Sequence, residues 1–569
     1  MNTHGTILDQ SSKLIACSGI FFFCLLLARV FYLQIYLNQE LFKRAQKNFT
    51  RYVTIPSQRG NILDCNGTLL ATNRPVINIF WQGTGNHHLT TEQTALLETM
   101  GTILEQPFDA HVHKEITATE RYSRTRLLAT DVPLAAMGKL LEKYPHTPNL
   151  YIEQTAARFY PHKTVASHII GYISSLENNG KMGLEKILEQ LLHGSHGTLM
   201  TTINSVGARL NTLPIKEALD GQDIVTTLDL RLQLIAEQCF EESQLGVLLL
   251  MDPATGAIKA LVSRPTFDPN IFLQTIDSNE WKELQEKKPF LNRAFNACYP
   301  PASPFKLITL AAAMELDLIS PETTIYCPGY TRFCNRAYHC AKKAGHGVVT
   351  IEQAVAQSCN ILFFDIAKRI SIDQLAEYAY RFGLGQKSSV IFNEHEGIVP
   401  SKAWKWKVKH EPWWSGETLS VVIGQGYLGV TPIQMARMIS AIFSGNLVKP
   451  RILEQEEIVT EPLRIRPQTR KLLKKCMKEV VTHGTGIMLR SLLPDMKLYA
   501  KTGTAQVSDL SKRDLGTEFL EHGWSVCYLK APNQRPLVLV AVLEHVGSSQ
   551  VAIAFTKRFL QQYRELIKR

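Results

Sequence analysis

The chain has 569 residues, which is too many for one compact domain, so two or three domains are expected. Hydrophobic residues make up 45% of the sequence and charged residues 20%, a balance that excludes a largely disordered protein. The net charge of +11 is spread along the chain without a C2H2 zinc-finger spacing, an RNA-binding aromatic motif or a basic tail, which favours an anionic surface such as membrane or cell wall over nucleic acid.

The first predicted element is an apolar helix near the N-terminus. Between Leu14 and Gln39 the only charged residue is Arg29, and about 20 apolar residues are enough to cross a bilayer. No A-x-A cleavage pattern follows, as a removable signal peptide would require. The sequence therefore predicts an uncleaved signal anchor over residues 14–37, a cytoplasmic tail over residues 1–13 and an exported remainder. The alternative is a buried core helix.

Short strands and helices alternate after the anchor. Asn66 and Gly67 lie between apolar stretches and predict a hairpin turn. The run TEQTALLETMGTIL, which starts at Thr91, is compatible with a helix. Gly183 to Gly194 predicts one helix that ends at a glycine.

The sequence pattern changes near Asp223, where we place the main domain boundary. DIVTTLDLRLQLIAEQCF predicts a strand, a turn with Asp229 as the helix N-cap, and a helix. GVLLLMDPATGAIKALVS predicts two strands around a turn, and WSVCYLK and LVLVAVLEHV predict two more. The C-terminal run AIAFTKRFLQQYRELIKR predicts a helix. This alternation predicts a mixed sheet with helices packed on both faces.

Ser303 and Lys306 are the first pair of residues that suggests chemistry. Pro304 suits the first helical position, which places Ser303 at the positive N-terminal end of a helix, and residues three apart share a helix face. One interpretation is structural, with Ser303 as an N-cap and Lys306 as a solvated residue of the first turn. The other is catalytic, because a partly buried lysine has a lowered pKa and can take the proton of a serine nucleophile.

Two further motifs decide between these interpretations. Ser358 and Asn360 enclose Cys359 at the end of a predicted helix. Lys501-Thr502-Gly503-Thr504 lies on a predicted strand, where a glycine allows a ligand or another backbone to approach closely. Each motif alone is common. All three in this order, over about 200 residues, form a specific pattern that favours the catalytic interpretation.

The three motifs resemble those of penicillin-recognising serine acyltransferases, and they stand in this chain as Ser303-x-x-Lys306, Ser358-x-Asn360 and Lys501-Thr502-Gly503. The N-terminal half resembles the pedestal domain of class B penicillin-binding proteins in four segments: Arg59-Gly60-Asn61-Ile62-x-Asp64, Arg158-x-Tyr160-Pro161, His168 to Tyr172 and Gly183-Leu184-Glu185. Gly345-His346-Gly347 is more similar to the elongation type than to the division type. Three residues depart from the glycine, threonine and arginine that are usual at their positions: Ala302, Pro304 and Cys65.

The resemblance implies a mixed α/β fold class: an N-terminal transmembrane helix, an elongated α+β pedestal domain over residues 38–225, and a penicillin-binding transpeptidase domain over residues 226–569 with a central antiparallel sheet flanked by helices. It implies a single-pass protein of the bacterial inner membrane whose catalytic domain is periplasmic. The implied partners are peptidoglycan stem peptides, β-lactams, a multi-pass glycosyltransferase, and elongation or division scaffold proteins. No nucleic acid is expected.

The implied reaction is the D,D-transpeptidation that cross-links stem peptides and releases D-alanine. Ser303 would attack the penultimate D-Ala carbonyl, and Lys306 would take its proton. Ser358 would pass a proton to the leaving D-Ala nitrogen, and Asn360 would orient Lys306 and the donor amide.

Lys501, Thr502 and Thr504, with Gly503 between them, would bind the terminal carboxylate. The backbone N–H groups of Ser303 and Thr504 would form the oxyanion hole. Three other functions remain as alternatives: a division-specific transpeptidase, a non-catalytic scaffold of wall synthesis, and a β-lactamase or β-lactam sensor. The pedestal disfavours the last of these, because such proteins lack it.

The cysteines suggest a separate site. Cys327, Cys340, His346 and Cys359 have the spacing C-x12-C-x5-H-x12-C, which suits a tetrahedral zinc site with three thiolates and one imidazole. Our hypothesis is a structural zinc ion bound by these four residues, with Cys334 as a substitute ligand. The alternatives are a disulfide from Cys327 or Cys334 to Cys340, and free thiols. No other cofactor is expected.

Overall fold

The structure is a computed structural model, and it describes residues 4–568 except residues 106, 123, 146, 175–177, 204–208, 275, 389, 509–511 and 513–514. The chain forms two compact units, residues 1–59 with 193–221 and residues 60–192 with 222–569. Both units combine segments that are distant in the sequence, and the linear boundary at residues 225 and 226 stays a prediction.

The first unit contains the N-terminal helices and a small sheet. Helix His4–Phe31 continues through a π-helical turn, Tyr32–Tyr36, and helix Asn38–Phe49 follows. The stretch Leu14–Tyr36 is long and apolar enough to cross a membrane. In its most apolar part, no residue is buried by any other part of the chain that the structure describes. A soluble core helix would be covered by protein, so this helix fits a membrane anchor. The sheet is antiparallel, with the strand order Thr50–Ile55, Gly197–Ile203 and Arg209–Lys216.

The N-terminal part of the second unit is a mixed sheet with helices. Its strands are Ile62–Leu63, Leu69–Gln82, Thr125–Ala129, Leu150–Phe159 and Ile224–Val225. Its helices are Thr91–Ile103, Ala110–Arg121, Leu134–Lys143, Ser167–Ile170, Gly183–Ile187 and Glu189–Leu192. The predicted single helix from Gly183 to Gly194 is wrong, because Leu188 turns to a ψ of 23° and divides it in two.

The predicted hairpin turn at Asn66 and Gly67 is confirmed. Gly67 has a φ of +84°, and the strands on either side pair antiparallel. The carboxylate of Asp64 accepts hydrogen bonds from the backbone N–H of Asn66 at 2.8 Å and of Thr68 at 2.7 Å. The carboxylate therefore fixes the turn that the glycine permits.

A five-stranded antiparallel sheet forms the centre of the rest of the second unit, in the order Ile258–Arg264, Gly246–Met251, Leu537–Leu543, His522–Lys530 and Lys497–Ala505. Every residue of the strand Leu537–Leu543 is buried, as expected when helices cover a sheet. The helices that pack against it are Leu230–Gln238, Pro432–Ser444, Pro467–His483 and Ser549–Lys568. The predicted mixed fold with a central antiparallel sheet flanked by helices is confirmed.

The remaining elements connect or surround this sheet. The helices are Ser278–Lys287, Lys306–Glu315, Ile351–Ala356, Ile361–Ala367, Ile372–Arg381, Lys402–Lys409 and Ser415–Val421. Short 3-10 turns are Pro269–Leu273, Ser303–Phe305, Ile487–Leu492 and Thr517–Phe519. Three strand pairs complete the fold: Thr324–Cys327 with Gly347–Thr350, Tyr330–Phe333 with Arg336–His339, and Asn446–Val448 with Thr460–Pro462.

Candidate active site

Ser303 begins a 3-10 turn that leads directly into helix Lys306–Glu315. Ala302, just before it, has a φ of +52°, a conformation that glycine adopts more readily than alanine. The backbone N–H of Ala302 donates a hydrogen bond to the carbonyl of Gly424 at 2.8 Å. A Cβ atom at Gly424 would overlap the backbone of Ala302, so the two segments are held in close contact. This contact fixes the backbone immediately before Ser303.

Lys306 is fully buried, and the solvated first-turn interpretation is therefore wrong. Its Nζ donates hydrogen bonds to the carbonyl of Ser358 at 2.8 Å, to Oδ1 of Asn360 at 2.7 Å and to Oγ of Ser358 at 3.2 Å. Burial lowers the pKa of Lys306 to about 8, and the nearby Cys359 and Cys340 thiols oppose that decrease. The pKa of this amine is thus close to the value that suits a general base near neutral pH.

The hydroxyl of Ser358 lies between the lysines and Ser303. Its Oγ donates a hydrogen bond to Oγ of Ser303 at 2.8 Å, and it accepts hydrogen bonds at 3.2 Å from Nζ of Lys306 and from Nζ of Lys501. No hydrogen bond joins Lys306 directly to Ser303 among the described residues. The sequence predicted a direct contact, whereas the structure links the two residues through Ser358.

Lys501 is the second buried lysine of the site. Its Nζ also donates a hydrogen bond to the carbonyl of Thr502 at 3.1 Å. Burial lowers the pKa of Lys501 well below its usual value, and the charge of Lys306 lowers it further. Two amines therefore share one serine hydroxyl in an environment that disfavours protonation of both.

Gly503 is required by the close approach of Pro304. The glycine lies opposite Trp524 in the sheet, and Trp524 donates its indole N–H to the carbonyl of Pro300 at 2.9 Å. A Cβ atom at Gly503 would lie 2.5 Å from Cδ of Pro304 and 3.2 Å from Cβ of Ala302. The strand and the turn that carries Ser303 are thus packed with no room for a side chain.

Two polar residues to which the sequence analysis assigned no role contact this strand. Oγ1 of Thr485 lies 2.6 Å from Oγ1 of Thr502, and Nε2 of Gln425 donates a hydrogen bond to the carbonyl of Thr504 at 3.2 Å. The Thr504 hydroxyl also accepts the backbone N–H of Ser549 at 3.1 Å. Thr485 and Gln425 each stand between two glycines, and this pattern of a polar residue in a tight loop is the signal that could have identified them.

The four predicted metal ligands come together in one cluster. All ligand atoms of Cys327, Cys340, His346 and Cys359 lie within 4.8 Å of one another. Nδ1 of His346 is 3.4 Å from Sγ of Cys327 and 3.5 Å from Sγ of Cys340, and the Cys340 and Cys359 sulfurs are 3.9 Å apart. Ligands of a tetrahedral zinc ion with bonds of about 2.0–2.3 Å lie about 3.3–3.8 Å apart, so these residues fit such an ion.

The electrostatics of the cluster favour a thiolate, the form that binds a metal, at Cys340. The hydrogen bond between the Cys340 and Cys359 sulfurs lowers the pKa of the Cys340 thiol to about 4, while the same hydrogen bond and burial raise the pKa of Cys359. Soft thiolate ligands around one imidazole favour zinc over magnesium or calcium. Cys334 is exposed and outside the cluster, and all the cysteines have free thiols in the structure.

The cluster is joined to the Ser358-x-Asn360 motif. Cys359 is the central residue of that motif, and the backbone N–H of Asn360 points to Sγ of Cys340 at 3.4 Å. Nδ2 of Asn360 donates a hydrogen bond to the carbonyl of His339 at 3.0 Å. These contacts orient the amide oxygen that accepts the hydrogen bond from Lys306.

Comparison with known families gives two adjacent matches. Residues 246–561 match the penicillin binding protein transpeptidase domain, and residues 54–226 match the penicillin-binding protein dimerisation domain. The chain belongs to the penicillin-binding protein transpeptidase family. The expected resemblance to class B members of the elongation type is confirmed by these matches and by the relatives described next.

The chain is similar to relatives over most of its length. It is 31% identical to the peptidoglycan D,D-transpeptidase MrdA of Acinetobacter baumannii, over 93% of this chain and 84% of that protein. A solved structure of the complex between penicillin-binding protein PBP2 and MreC from Helicobacter pylori is 28% identical, with a TM-score of 0.76, and covers 91% of this chain and 99% of that one. A chain in a solved peptidoglycan synthase complex, described as coordinating polymerization and crosslinking, is 30% identical, with a TM-score of 0.76, over 97% of this chain and 98% of that one.

Proposed function

We propose that this chain is a peptidoglycan D,D-transpeptidase that cross-links stem peptides during cell elongation through a Ser303 acyl-enzyme. The observation that carries the proposal is the hydrogen-bonded set formed by Ser303, Ser358 and the two buried lysines. Family membership supports the same reaction class. β-Lactams would acylate Ser303 because they present a strained amide to the same nucleophile.

The first step is attack of Ser303 Oγ on the penultimate D-Ala carbonyl. Lys306 in its neutral form takes the serine proton, either directly or through Ser358, which then gives its own hydroxyl proton to Lys306 as it accepts the proton of Ser303. A C–O bond forms as the C–N bond to the last D-Ala breaks, and Ser358 returns a proton to the leaving nitrogen. Asn360 holds Lys306 in place through its amide oxygen. An amino group of a neighbouring stem peptide then attacks the acyl-enzyme and releases Ser303.

The strand Lys497–Ala505 supplies the substrate contacts. Lys501, Thr502 and Thr504 bind the terminal carboxylate, and Gly503 allows the strand to approach Pro304. The backbone N–H groups of Ser303 and Thr504 stabilise the oxyanion, each worth roughly 3–4 kcal/mol in comparable enzymes.

The location and partners follow from the same proposal. The apolar helix supports a single-pass anchor in the bacterial inner membrane, with residues 38–225 as the pedestal domain and residues 226–569 as the periplasmic catalytic domain. A multi-pass glycosyltransferase would make the glycan strands, and an elongation scaffold would organise both proteins. The names of the structural relatives, one with MreC and one in a synthase complex, support these partner classes. Depletion in a rod-shaped host should give round cells, whereas filaments would favour the division role.

A fluorescent penicillin tests the proposed nucleophile. Ser303→Ala should abolish covalent labelling of the folded full-length protein, while Ser320→Ala, at an exposed serine, should label like the wild type. Labelling of Ser303→Ala at full stoichiometry would refute the assignment. A wild-type protein that never labels but still recruits wall-synthesis proteins would instead support the scaffold alternative.

We also propose that Cys327, Cys340, His346 and Cys359 bind a structural zinc ion. Bound zinc would hold the loop that contains Cys340 against the backbone of Asn360. Metal analysis of the purified protein should find about one zinc per chain, as expected for a closed four-ligand site. Cys340→Ser should lose this zinc and lower the Tm, and Cys334→Ser should change neither. Protein that is metal-free and equally stable after chelation would contradict the proposal.

A further inference from the structure

Tyr299 lies four residues before Ser303 and is only 4% exposed. Its hydroxyl donates a hydrogen bond to Oε1 of Glu544 at 2.6 Å, the short distance typical of a charged acceptor. The same Oε1 accepts a hydrogen bond from Nε of Arg293 at 2.9 Å, and the Arg293 and Glu544 side chains are 8% and 13% exposed. These three side chains form a buried polar cluster that no step of the proposed acyl transfer uses.

The hydroxyl of Tyr299 keeps its proton and stays a donor in this cluster. Burial raises the pKa of Tyr299 well above its usual value, and the Glu544 carboxylate raises it further. The carboxylate of Glu544 therefore has two lasting donors, the phenol of Tyr299 and the guanidinium of Arg293.

The cluster holds the backbone that leads to Ser303. The backbone N–H of Tyr299 donates to the carbonyl of Val430 at 2.9 Å, and its carbonyl accepts the N–H of Val430 at 2.8 Å. The next carbonyl, that of Pro300, accepts the indole N–H of Trp524. Because the two prolines that follow Tyr299 have a fixed φ, a shift of Tyr299 is passed on along a stiff backbone to Ser303.

Glu544 also begins a segment, residues 544–549, that ends beside Thr504. The backbone N–H of Ser549, at the other end of this segment, donates a hydrogen bond to Oγ1 of Thr504 at 3.1 Å. Between the two ends the segment packs on Gly523, which lies opposite Thr504 in the sheet. A Cβ atom at Gly523 would lie 2.9 Å from a carbonyl oxygen of the segment. The segment is thus in close contact with the strand pair that carries Thr504.

We propose that Glu544 is a positioning residue for the oxyanion hole. This inference rests on the proposed function, in which the backbone N–H groups of Ser303 and Thr504 stabilise the oxyanion. One end of the segment reaches the residues before Ser303 through Tyr299, and the other end reaches Thr504 through Ser549. Glu544 therefore sets the spacing of the two donors, which act only when both lie at hydrogen-bond distance from the developing negative charge.

The test follows acylation of the full-length protein in detergent by a fluorescent penicillin. Stopped-flow labelling at increasing penicillin concentrations separates the dissociation constant of the noncovalent complex, K, from the rate constant of acylation, k2. The variant is Tyr299→Phe, which keeps the buried ring and removes the hydroxyl that Glu544 holds. The matched control is Tyr160→Phe, which removes a buried hydroxyl that donates to Glu185 of another arginine–glutamate pair.

We expect Tyr299→Phe to lower k2 about tenfold and to change K by less than about twofold, because oxyanion donors act mainly on the transition state. Hydrolysis of the acyl-enzyme should slow by a similar factor, since an oxyanion forms again in that step. Tyr160→Phe should lower the Tm, because it also loses a buried hydrogen bond, and should change neither rate.

Two substitutions of Glu544 separate its hydrogen bond to Tyr299 from its charge. Glu544→Gln and Glu544→Leu both remove the charge that faces Arg293, but only glutamine keeps an acceptor oxygen for the Tyr299 hydroxyl. Glu544→Gln should therefore keep more of k2 than Glu544→Leu does. Adding Tyr299→Phe to Glu544→Leu should lower k2 little further, because the contact is already lost.

Two outcomes overturn the inference. The first is a k2 of Tyr299→Phe within about twofold of wild type, even with a lowered Tm, because the cluster would then serve stability alone. The second is an equal fall of k2 in Tyr160→Phe, because the loss would then come from general destabilisation. Failure of the wild type to react with penicillin is a different result, because it would refute the proposed function itself.

Discussion

Lys306 and Lys501 show how one site makes a lysine into a base. Both amines are buried, and both donate a hydrogen bond to the same Ser358 hydroxyl. Burial lowers the pKa of both amines, because a positive charge is poorly solvated there, and the charge of Lys306 lowers the pKa of Lys501 further. Lys306, with a pKa of about 8, is then partly neutral at neutral pH, as a proton acceptor must be.

The pH dependence of penicillin acylation should follow from this lowered pKa. The neutral amine is the reactive form, so the rate should rise with pH up to about 8 and then level off. Lys306→Ala should reduce the rate by about 10²–10⁴-fold, and Lys497→Ala, at an exposed lysine of the same strand as Lys501, should not. Stopped-flow labelling from pH 6 to 9 measures both effects. A wild-type rate that is constant over this range would exclude Lys306 as the titrating base.

Pro304 and Gly503 form a contact that a double variant can test. Gly503→Ala places a Cβ 2.5 Å from Cδ of Pro304, and overpacking of this kind typically costs about 1–3 kcal/mol. We expect Gly503→Ala to slow penicillin acylation and lower the Tm. Pro304→Ala removes the Cδ atom, so Gly503→Ala/Pro304→Ala should recover part of both losses. If the effects of the two substitutions on the Tm and on the acylation rate simply add, the two residues do not act through this contact.

At the scale of elements, a buried ion pair joins three separate segments of the second unit. Arg158, at the end of the strand Leu150–Phe159, forms an ion pair at 2.7 Å with Glu185 of helix Gly183–Ile187, and both side chains are buried. Nη1 of Arg158 donates a hydrogen bond to the carbonyl of Gly60 at 2.8 Å, and the Tyr160 hydroxyl contacts Glu185 at 3.2 Å. Three of the four segments that resemble a pedestal domain in the sequence thus meet at one polar centre.

Removing one partner of this pair should destabilise the protein strongly. Glu185→Ala leaves the Arg158 charge buried without its carboxylate, a change that typically costs about 3–5 kcal/mol. Glu185→Gln keeps an acceptor oxygen and should cost less. Glu283→Ala removes an exposed ion pair with Lys287 and should cost less than about 1 kcal/mol. Denaturant unfolding of the full-length protein in detergent measures all three. An equal loss of unfolding free energy in Glu185→Ala and Glu283→Ala would contradict a structural role for the buried pair.

At the scale of the whole molecule, the sequence predicted what depends on local patterns. The apolar helix, the Asn66–Gly67 turn, the five sheet strands and the Asp229 cap follow from composition and spacing within short windows, and the structure has them. The Cys/His cluster was also predicted, because its ligands lie within one short stretch.

Contacts between distant segments could not be predicted in this way. Gln425 and Thr504 are 79 residues apart, and no local pattern brings them together. The link from Lys306 to Ser303 passes through Ser358, whose φ of +54° is unusual for serine and sets where its hydroxyl points. The overlap of Pro304 with any side chain at position 503 likewise depends on how the sheet and the turn pack.

The N-terminal helix carries the last prediction, because it determines where the whole molecule works. The full-length protein should remain in the membrane fraction after high-salt and alkaline washes, and its intact mass should show an uncleaved N-terminus. A chain that lacks residues 1–37 should be soluble without detergent and should react with penicillin at the wild-type rate. Phe22→Arg/Leu26→Arg should release the full-length protein, since each central arginine costs about 2.5–3.5 kcal/mol of insertion free energy. The conservative pair Phe22→Leu/Leu26→Ile is the control and should stay in the membrane. Recovery of the unmodified full-length protein in the soluble fraction would show that the helix is not an anchor.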